Sequence, residues 1–194
     1  MKKTLALILT SMFFIPAIYA ENWTVDKTHS SVNFTVRHMI ISKVHGSFDD
    51  FSGDIKFSEM DFDNSSVTFT VDMASVDTDN EKRNGHLKSP DFFDVEKFPT
   101  MAFISKKIIK GEGNMFKLVG DLTIKDVTKE VTFDCEFGGT VKLSEGNAKA
   151  GFSAETTINR QDFKVEWSST LDGGGLVVSD DVDISIEIEA HLVK

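Results

Sequence analysis

The sequence predicts an all-β protein in which eight antiparallel strands close into a barrel, with one short helix or ordered loop between strands. Three observations predict this class. Apolar and polar side chains alternate along many segments, which is the two-residue period of a half-buried strand. Glycine, asparagine and aspartate cluster between these segments, as they do in turns. The chain contains 17 phenylalanines but one tyrosine and two tryptophans, so nearly all its aromatic side chains lack a polar tip.

The alternating segments follow one another along the chain. Their inward-facing residues are predicted to be Val32, Phe34 and Val36, then Ile55 and Phe57, then Val67, Phe69, Val71 and Met73, then Met101 and Phe103, then Phe116, Leu118, Leu122 and Ile124, then Val131 to Phe137, then Ala148 to Ile158. Turn residues predict hairpins at 63–65, 111–114, 138–139, 146–147 and 173–175. Between Thr78 and Phe98, charged and small residues interrupt the alternation, which indicates the short helix or ordered loop.

The last strand has the clearest pattern. From Val182 to Leu192 the even-numbered residues are apolar or small, and the odd-numbered residues are polar or charged. A strand of this length extends for roughly 36 Å at about 3.3 Å per residue, which is long for a soluble protein. Such strands bury their apolar faces in a sandwich or a closed barrel, and eight strands can close with every edge paired.

Residues 1–20 are predicted to form a cleaved secretory signal peptide. Lys2 and Lys3 precede an apolar run from Leu5 to Ile15, and a short segment then ends at Ala20. This run is too short to cross a bilayer, which requires about 20 residues. The alternative is an uncleaved anchor. We therefore expect residues 21–194 to form a single exported domain, with no transmembrane segment after processing.

Charge and cysteine content narrow the choice of partners. The chain has 21 basic and 31 acidic residues, and loss of the two leader lysines brings the net charge to about −12. This charge disfavours nucleic acid and anionic lipid surfaces. Cys135 is the only cysteine and cannot form an internal disulfide. Its place in an alternating segment predicts a buried small apolar residue rather than a nucleophile.

The interior is predicted to leave room for an apolar guest. Ala148, Ala150 and Ala154 share a face with Phe152, so this wall contributes little bulk. The alternative is a packed interior in which small and large side chains alternate. A guest that buries about ten methylenes would gain roughly 8 kcal/mol, against association costs of several kcal/mol. The favoured guest is therefore a lipid with a long hydrocarbon chain, bound with relaxed chain selectivity and without specific polar contacts.

The alternation of side chains along each strand, which we call strand parity, selects the residues expected to face this guest. They are Val32, Phe34, Val36, Phe69, Val71, Met101, Phe103, Ala150, Phe152, Ala154, Ile184 and Ile186. The candidates for contact with a polar head group are His38, Arg83 and His86. For His38, the alternative is a structural hydrogen bond within the protein. For Arg83, it is local pairing with Asp77, Asp79 or Glu81.

The sequence predicts neither a metal site nor a catalytic site. His29, His38, His45 and His86 could meet at one end of the barrel and ligate zinc, but their spacing fits no compact motif. There is no Gly-x-Ser-x-Gly elbow and no phosphate-binding loop. We therefore expect a binding protein without a cofactor rather than an enzyme. Two other hypotheses are an enzyme that acts on a bound lipid and an interaction or stress-response module with a solid core.

Five segments resemble the YceI family of periplasmic proteins. They are DKTHSSVNFTVRHMIISKVHGSFDDFSGDIKF (26–57), SVDTDNEKRNGHLKSPDFFDVEKFPTMAF (75–103), VGDLTIKDVTKEVTF (119–133), INRQDF (158–163) and LDGGGLVVSDDVDISIEIEA (171–190). The resemblance implies a lipocalin-like barrel in the periplasm. It also implies that some members hold polyisoprenoids or other long-chain lipids in an apolar channel, with links to isoprenoid quinones and stress responses. A homodimer is compatible with the sequence.

Two positions depart from the family pattern. Lys125 and Asp126 stand where the family commonly has a basic residue and glycine, and Lys164 stands where glycine usually follows the Asp-Phe pair. Both positions lie at expected turns or bulges. The absence of glycine therefore predicts altered loop geometry at the rim of the barrel, with the fold unchanged.

Overall fold

The computed structural model describes residues 20–58, 64–143, 146–170 and 176–193. The predicted signal peptide lies outside these residues, except for Ala20. The described strands are β1 (Glu21–Val25), β2 (Ser31–His38), β3 (Ser42–Phe48), β4 (Phe51–Phe57), β5 (Ser66–Asp72), β6 (Val76–Asp77), β7 (Thr100–Lys110), β8 (Met115–Ile124), β9 (Val127–Lys142), β10 (Ala148–Asn159) and β11 (Val178–Leu192), and one α-helix, α1, spans Glu81–Lys88. Within the described ranges, no helix has the length and apolar character needed to span a bilayer.

The strands form one antiparallel sheet that closes on itself. β1 and β2 are two halves of a bent strand, because both pair with β11, as in Trp23 opposite Leu192 and Phe34 opposite Ile184. β3 and β4 are two halves of a second bent strand, since β3 pairs with β2 and β4 pairs with β1. From there the sheet continues through β5, β7, β8, β9 and β10 to β11. Eight strands therefore surround the barrel, which confirms the predicted fold class.

The alternating segments and the helical interruption lie where the pattern predicts them. The sequence does not predict β1 or β3, because their inward positions include polar or small residues such as Gly46. Met73 lies in a 3-10 turn after β5 rather than in the strand, although its side chain is buried. The helix predicted between Thr78 and Phe98 is α1.

The hairpin predicted at Gly138 and Gly139 is wrong, because β9 continues to Lys142. Gly151 lies opposite Gly139 and Phe152 lies opposite Phe137, so Gly138 is the extra residue of a β-bulge. Gly139 has a φ of 107°, a conformation that side chains other than hydrogen rarely adopt. The two glycines therefore bend a long strand instead of ending it. The hairpin predicted at 173–175 lies outside the described residues.

Trp23 closes one end of the barrel. Its side chain is 2% exposed and packs beside Ala148, Ala150 and Ala190, whose small side chains leave space for the indole. Ala150, at 1% exposure, packs in this cluster rather than facing the open interior that the sequence predicts. Parity places Ala150 on the correct face of β10 but does not show which level of the barrel it occupies.

Substitution of Ala150 by valine tests this packing. Two extra methyl groups beside Trp23 should lower the free energy of unfolding by about 1–3 kcal/mol through overpacking. Ala154→Val is the matched control on the same face of the same strand, and it should cost clearly less because Ala154 borders a cavity. Urea denaturation of both variants measures the difference. Equal losses would contradict the assignment of Ala150 to the closed end.

Candidate binding cavity

An apolar cavity occupies the interior beyond the closed end. A smaller part of about 110 Å³ lies beside the Trp23 cluster, where Ile55 and Phe57 line it. A larger part of about 280 Å³ lies toward the other end of the barrel. Val32, Met101 and Ile184 line both parts, so the two adjoin along the barrel. Binding sites for small molecules usually measure about 300–1,000 Å³, and the larger part alone approaches that range.

Eleven of the twelve residues that parity selects border this cavity, and Ala150 is the exception. The larger part is bordered by Val32, Phe34, Val36, Met101 and Ile184. The smaller part is bordered by Val32, Phe69, Val71, Met101, Phe103, Phe152, Ala154, Ile184 and Ile186. The interior is therefore hollow, in contrast to the solid core of the interaction-module hypothesis.

Phenylalanine rings lie along the wall of the barrel, over glycines of the neighbouring strand. A Cβ atom on Gly46 would lie only 2.3 Å from Cζ of Phe34, its partner across the β2–β3 pair. A Cβ atom on Gly53 would lie 2.5 Å from Cδ2 of Phe69, its partner across the β4–β5 pair. Each ring thus occupies the space of a missing side chain. This arrangement explains how a barrel rich in phenylalanine keeps an open interior.

Helix α1 borders the larger part of the cavity at the end away from Trp23. Asn80 caps the helix, because its side chain accepts a hydrogen bond from the backbone N–H of Arg83 at 2.9 Å. No residue of the helix is fully buried, and Leu87 supplies its apolar contact with the core. A polar helix of this kind needs hydrogen bonds to hold it against the barrel.

Those hydrogen bonds converge on Thr78, which is buried. Its hydroxyl donates to Oδ1 of Asn84 at 2.6 Å and accepts from Nε of Arg83 at 2.8 Å, while Nη2 of Arg83 donates to its carbonyl at 2.6 Å. Among the described residues, no carboxylate forms an ion pair with Arg83, so the alternative of local pairing is wrong. Asp77 instead accepts from the side chain of Asn84, which holds the pKa of that carboxyl below its ordinary value.

The three candidate head-group residues all border the larger part of the cavity. His38 is half-buried, and its ring nitrogens have no hydrogen-bond partner in the part of the chain that the structure describes. Nε2 of His86 lies 3.1 Å from Oδ2 of Asp91, and its ring meets Phe92 and Trp167 edge-on at 5.0 and 5.2 Å. His38 and Arg83 therefore have polar hydrogens available to a guest, while His86 is already engaged by Asp91.

Arg160 also borders the larger part, and the sequence-based selection misses it. It is 4% exposed, and its guanidinium donates to the carbonyls of Ser179 at 2.9 Å and Trp167 at 2.8 Å and to Oδ1 of Asp180 at 3.0 Å. Burial lowers the pKa of Arg160, and Asp180 opposes that effect. These bonds fix the segment after β10 against β11. Arg160 is two residues after the inward-facing Ile158, and this spacing could have predicted that its side chain also points inward.

Lys164 has a glycine-like backbone at a position where the family usually has glycine, whereas the altered loop geometry predicted at Lys125 and Asp126 stays a prediction. Lys125 and Lys164 have φ values of 57° and 56°, so both lysines adopt the left-handed backbone that glycine usually supplies. Nζ of Lys125 donates to the carbonyls of Phe92 at 3.0 Å and Lys164 at 2.9 Å. Nζ of Lys164 pairs with Asp126 at 3.0 Å, which lowers the pKa of that carboxyl. Together these contacts tie the β8–β9 turn to the loops around the cavity.

The four histidines of the zinc hypothesis do not converge. His45 bonds Oγ1 of Thr35 on the exposed face of the β2–β3 pair. His29 lies beside β11, with Nδ1 2.7 Å from Asp26 and 3.6 Å from Glu189. The ligand atoms of His29, Asp26 and Glu189 all lie within 4.8 Å of one another, so this group has the donor types to hold a metal ion. None of the three borders the cavity.

Cys135 borders the smaller part of the cavity and is buried, as the sequence predicts. Burial raises the pKa of its thiol to about 12. The thiol therefore stays protonated at neutral pH and is a poor nucleophile.

Comparisons with known proteins agree with this architecture. A family model described as a YceI-like domain matches residues 23–190. The UPF0312 protein of Staphylococcus aureus strain MSSA476 is 38% identical over 169 residues, which cover 87% of this chain and 96% of that protein. A crystal structure of the YCEI protein of Campylobacter jejuni matches with a TM-score of 0.72 and 37% identity, over 81% of this chain and 90% of that one.

A more distant solved structure shares the fold. It is a polyisoprenoid-binding domain from Saccharophagus degradans, which matches with a TM-score of 0.66 over 91% of this chain and 100% of that one. Its sequence identity to this chain is 17%, so the structural likeness shows a shared fold.

Replacement of Gly46 by alanine tests the wall-lining arrangement of the rings. The new Cβ should push the Phe34 ring away from the wall and into the larger part of the cavity, which reduces the space there. Xenon occupancy in crystals of the variant measures that space, since apolar cavities take up xenon. Gly151→Ala is the matched control, because a Cβ there meets no atom within 4 Å. Unchanged xenon occupancy in Gly46→Ala would contradict the arrangement.

Asp26 should make the stability of the fold depend on pH below about pH 4. The hydrogen bond with His29 lowers the pKa of Asp26 from 3.8 to about 2. Because the folded-state pKa is the lower one, the carboxylate stabilises the fold above about pH 4, and this contribution is lost as the pH falls from about 4 through 2. Asp26→Asn should therefore flatten this part of the stability profile, as measured by urea denaturation across that range. Asp181→Asn, an exposed carboxylate with no ion pair in the described residues, should keep the wild-type profile.

Proposed function

Because this chain belongs to the YceI-like family, we propose that it holds one long-chain amphiphilic lipid in its cavity, for carriage, storage or sequestration in the periplasm. A polyisoprenoid or an isoprenoid quinone is the type of guest we favour. The observation that supports the proposal most strongly is the cavity itself. The part of the cavity beside the closed end is apolar, and the part toward the other end is bordered by polar side chains.

This polarity assigns an orientation to the guest. The smaller part of the cavity is lined almost wholly by aliphatic and aromatic side chains, which suit the tail. The head group then lies in the larger part, near His38 and Arg83. Each methylene buried by the tail contributes about 0.8 kcal/mol, whatever its position along the chain. Binding should therefore select for length more than for the chemical detail of the tail.

Binding is a better proposal than catalysis on these contacts. The guanidinium of Arg160 is bonded to backbone carbonyls and to Asp180, and His86 is paired with Asp91. The thiol of Cys135, which borders the smaller part, is held protonated by burial. These groups support the architecture rather than a reacting centre. The description of the Saccharophagus degradans domain as polyisoprenoid-binding supports the class of guest.

The periplasmic location is part of the proposal. The basic and apolar pattern of residues 1–20 is that of an export signal, and an acidic exterior around an apolar interior suits the carriage of lipid through water.

Identification of the natural guest is the direct test. Protein purified from the periplasm is extracted with organic solvent, and the extract is analysed by mass spectrometry. We expect a long-chain lipid at close to one molecule per chain. A lipid-free extract, together with failure of the purified protein to bind added long-chain ubiquinone, would overturn the proposal.

Ala154→Phe should obstruct the channel while the fold is kept. The ring would project into the smaller part of the cavity, where Ala154 lies opposite Ile186 and Cys135. Exclusion of about three methylenes would weaken lipid affinity by roughly 50-fold. Titration with a fluorescent long-chain fatty acid measures the change. Glu155→Phe, on the exposed face of the same strand, is the matched control and should bind like the wild type. Full affinity in Ala154→Phe would contradict the assignment of the smaller part to the tail.

A further inference from the structure

We propose that the tip of the β2–β3 hairpin, Met39–Ile41, inserts into an anionic lipid surface and brings the polar end of the cavity against the membrane. The inference deepens the proposed function, because the docked end is the one at which a lipid would be exchanged. Docking is nevertheless a separate event from the holding of a lipid, and the two can be tested apart.

The tip exposes three consecutive large apolar side chains. Met39 is 39% exposed, Ile40 is 62% exposed and Ile41 is 87% exposed. Hairpin tips in water are usually built from glycine, asparagine and other polar residues. Apolar side chains concentrated at one protruding turn are typical of a surface that meets another apolar phase.

The backbone of the tip is also unusual. Met39 has a φ of 51° and Ile40 has a φ of 69°, so both lie in the left-handed region. A β-branched residue is rarely found there, whereas glycine or asparagine adopts it readily. The N–H of Met39 donates to the carbonyl of Val177 at 2.9 Å, which holds the turn against the residue directly before β11. Ile40 therefore has a backbone conformation that glycine or asparagine would adopt more readily.

Two basic residues lie directly beneath the tip. Arg37 and Lys43 are cross-strand partners and are both exposed. Like charges placed opposite each other on a sheet repel, so an anion bound between them would relieve this repulsion. Within the described ranges no carboxylate forms an ion pair with either side chain, although Asp181 lies on the neighbouring strand β11. The chain as a whole has a net charge of −10, so an uncompensated basic pair stands out.

This arrangement matches the layers of a membrane surface. Apolar side chains enter the boundary of the acyl chains, while basic side chains lie at the level of the phosphates. The net negative charge of the chain disfavours an anionic surface overall, so it would orient the basic hairpin toward the membrane and the rest of the barrel away from it.

The hairpin also adjoins the cavity. Val36 and Val44 are cross-strand partners below the tip, and both border the larger part, as does His38. Insertion of the tip would therefore place this end of the cavity at the lipid surface. The opposite end also carries exposed apolar side chains, including Val141 at 62%, but there the Trp23 cluster separates the surface from the interior.

Vesicle co-sedimentation of the processed chain tests the proposal. The probes are vesicles of phosphatidylcholine alone and of phosphatidylcholine mixed with phosphatidylglycerol. We expect the wild type to bind the mixed vesicles. The double substitution Ile40→Asn with Ile41→Ser should weaken this binding at least about tenfold, because it removes the inserted apolar groups while asparagine tolerates the left-handed turn. Arg37→Ser with Lys43→Ser should remove the preference for phosphatidylglycerol and the sensitivity to salt.

Val141→Ser is the matched control, because Val141 has the same exposure as Ile40 at the opposite end of the barrel. It should bind vesicles like the wild type. Undiminished binding in the Ile40 and Ile41 variant, or an equal loss in Val141→Ser, would overturn the proposal.

Uptake of ubiquinone delivered from detergent should be unchanged in the variant with Ile40→Asn and Ile41→Ser. Loss of that uptake would show a damaged fold or cavity, whereas failure of the wild type to take up ubiquinone would count against the proposed function instead.

Discussion

Closure of the sheet through β11 is the interaction on which the rest of the structure depends. β11 pairs with β10 from Asp181 to His191 on one side and with β1 and β2 on the other. Without this closure, the apolar face of every strand would meet water, and two sheet edges would be unpaired. With it, the described strands enclose an interior, and none of the described helices lies inside the sheet. The length of β11 therefore decides the depth of the barrel as well as its stability.

A closed barrel of this size can be packed solid, and here the detail of side-chain placement keeps it hollow. Glycines such as Gly46 and Gly53 allow phenylalanine rings to lie along the wall. The indole of Trp23 fills one end against small residues, while α1, held through Thr78, borders the other. The cavity thus acquires a closed apolar end and a polar end. The proposed position of the lipid head group and the proposed docking of the β2–β3 hairpin both follow from that direction.

Most inward-facing residues could be predicted from the sequence, because the two-residue period of a strand assigns each side chain to a face. The same period carries no information on height along the barrel. Ala150 and Ala154 share a face of β10, yet one packs beside Trp23 and the other borders the cavity. Gly138 and Gly139 resemble a turn by composition but form a bulge, since pairing with β10 resumes beyond them. Lys164 has the left-handed backbone that glycine usually supplies, and its side chain pairs with Asp126 on the neighbouring turn.

The sequence by itself determined the fold class, the apolar character of the interior and the segment that contains α1, because these depend on local alternation and composition. The tertiary structure alone decided that Trp23 closes one end, that Arg160 fixes the segment after β10, and that His38 and Arg83 border the same part of the cavity. Most of these contacts join residues far apart in the chain. Their meeting depends on how the strands bend and where the sheet closes, and no local pattern of residues records either.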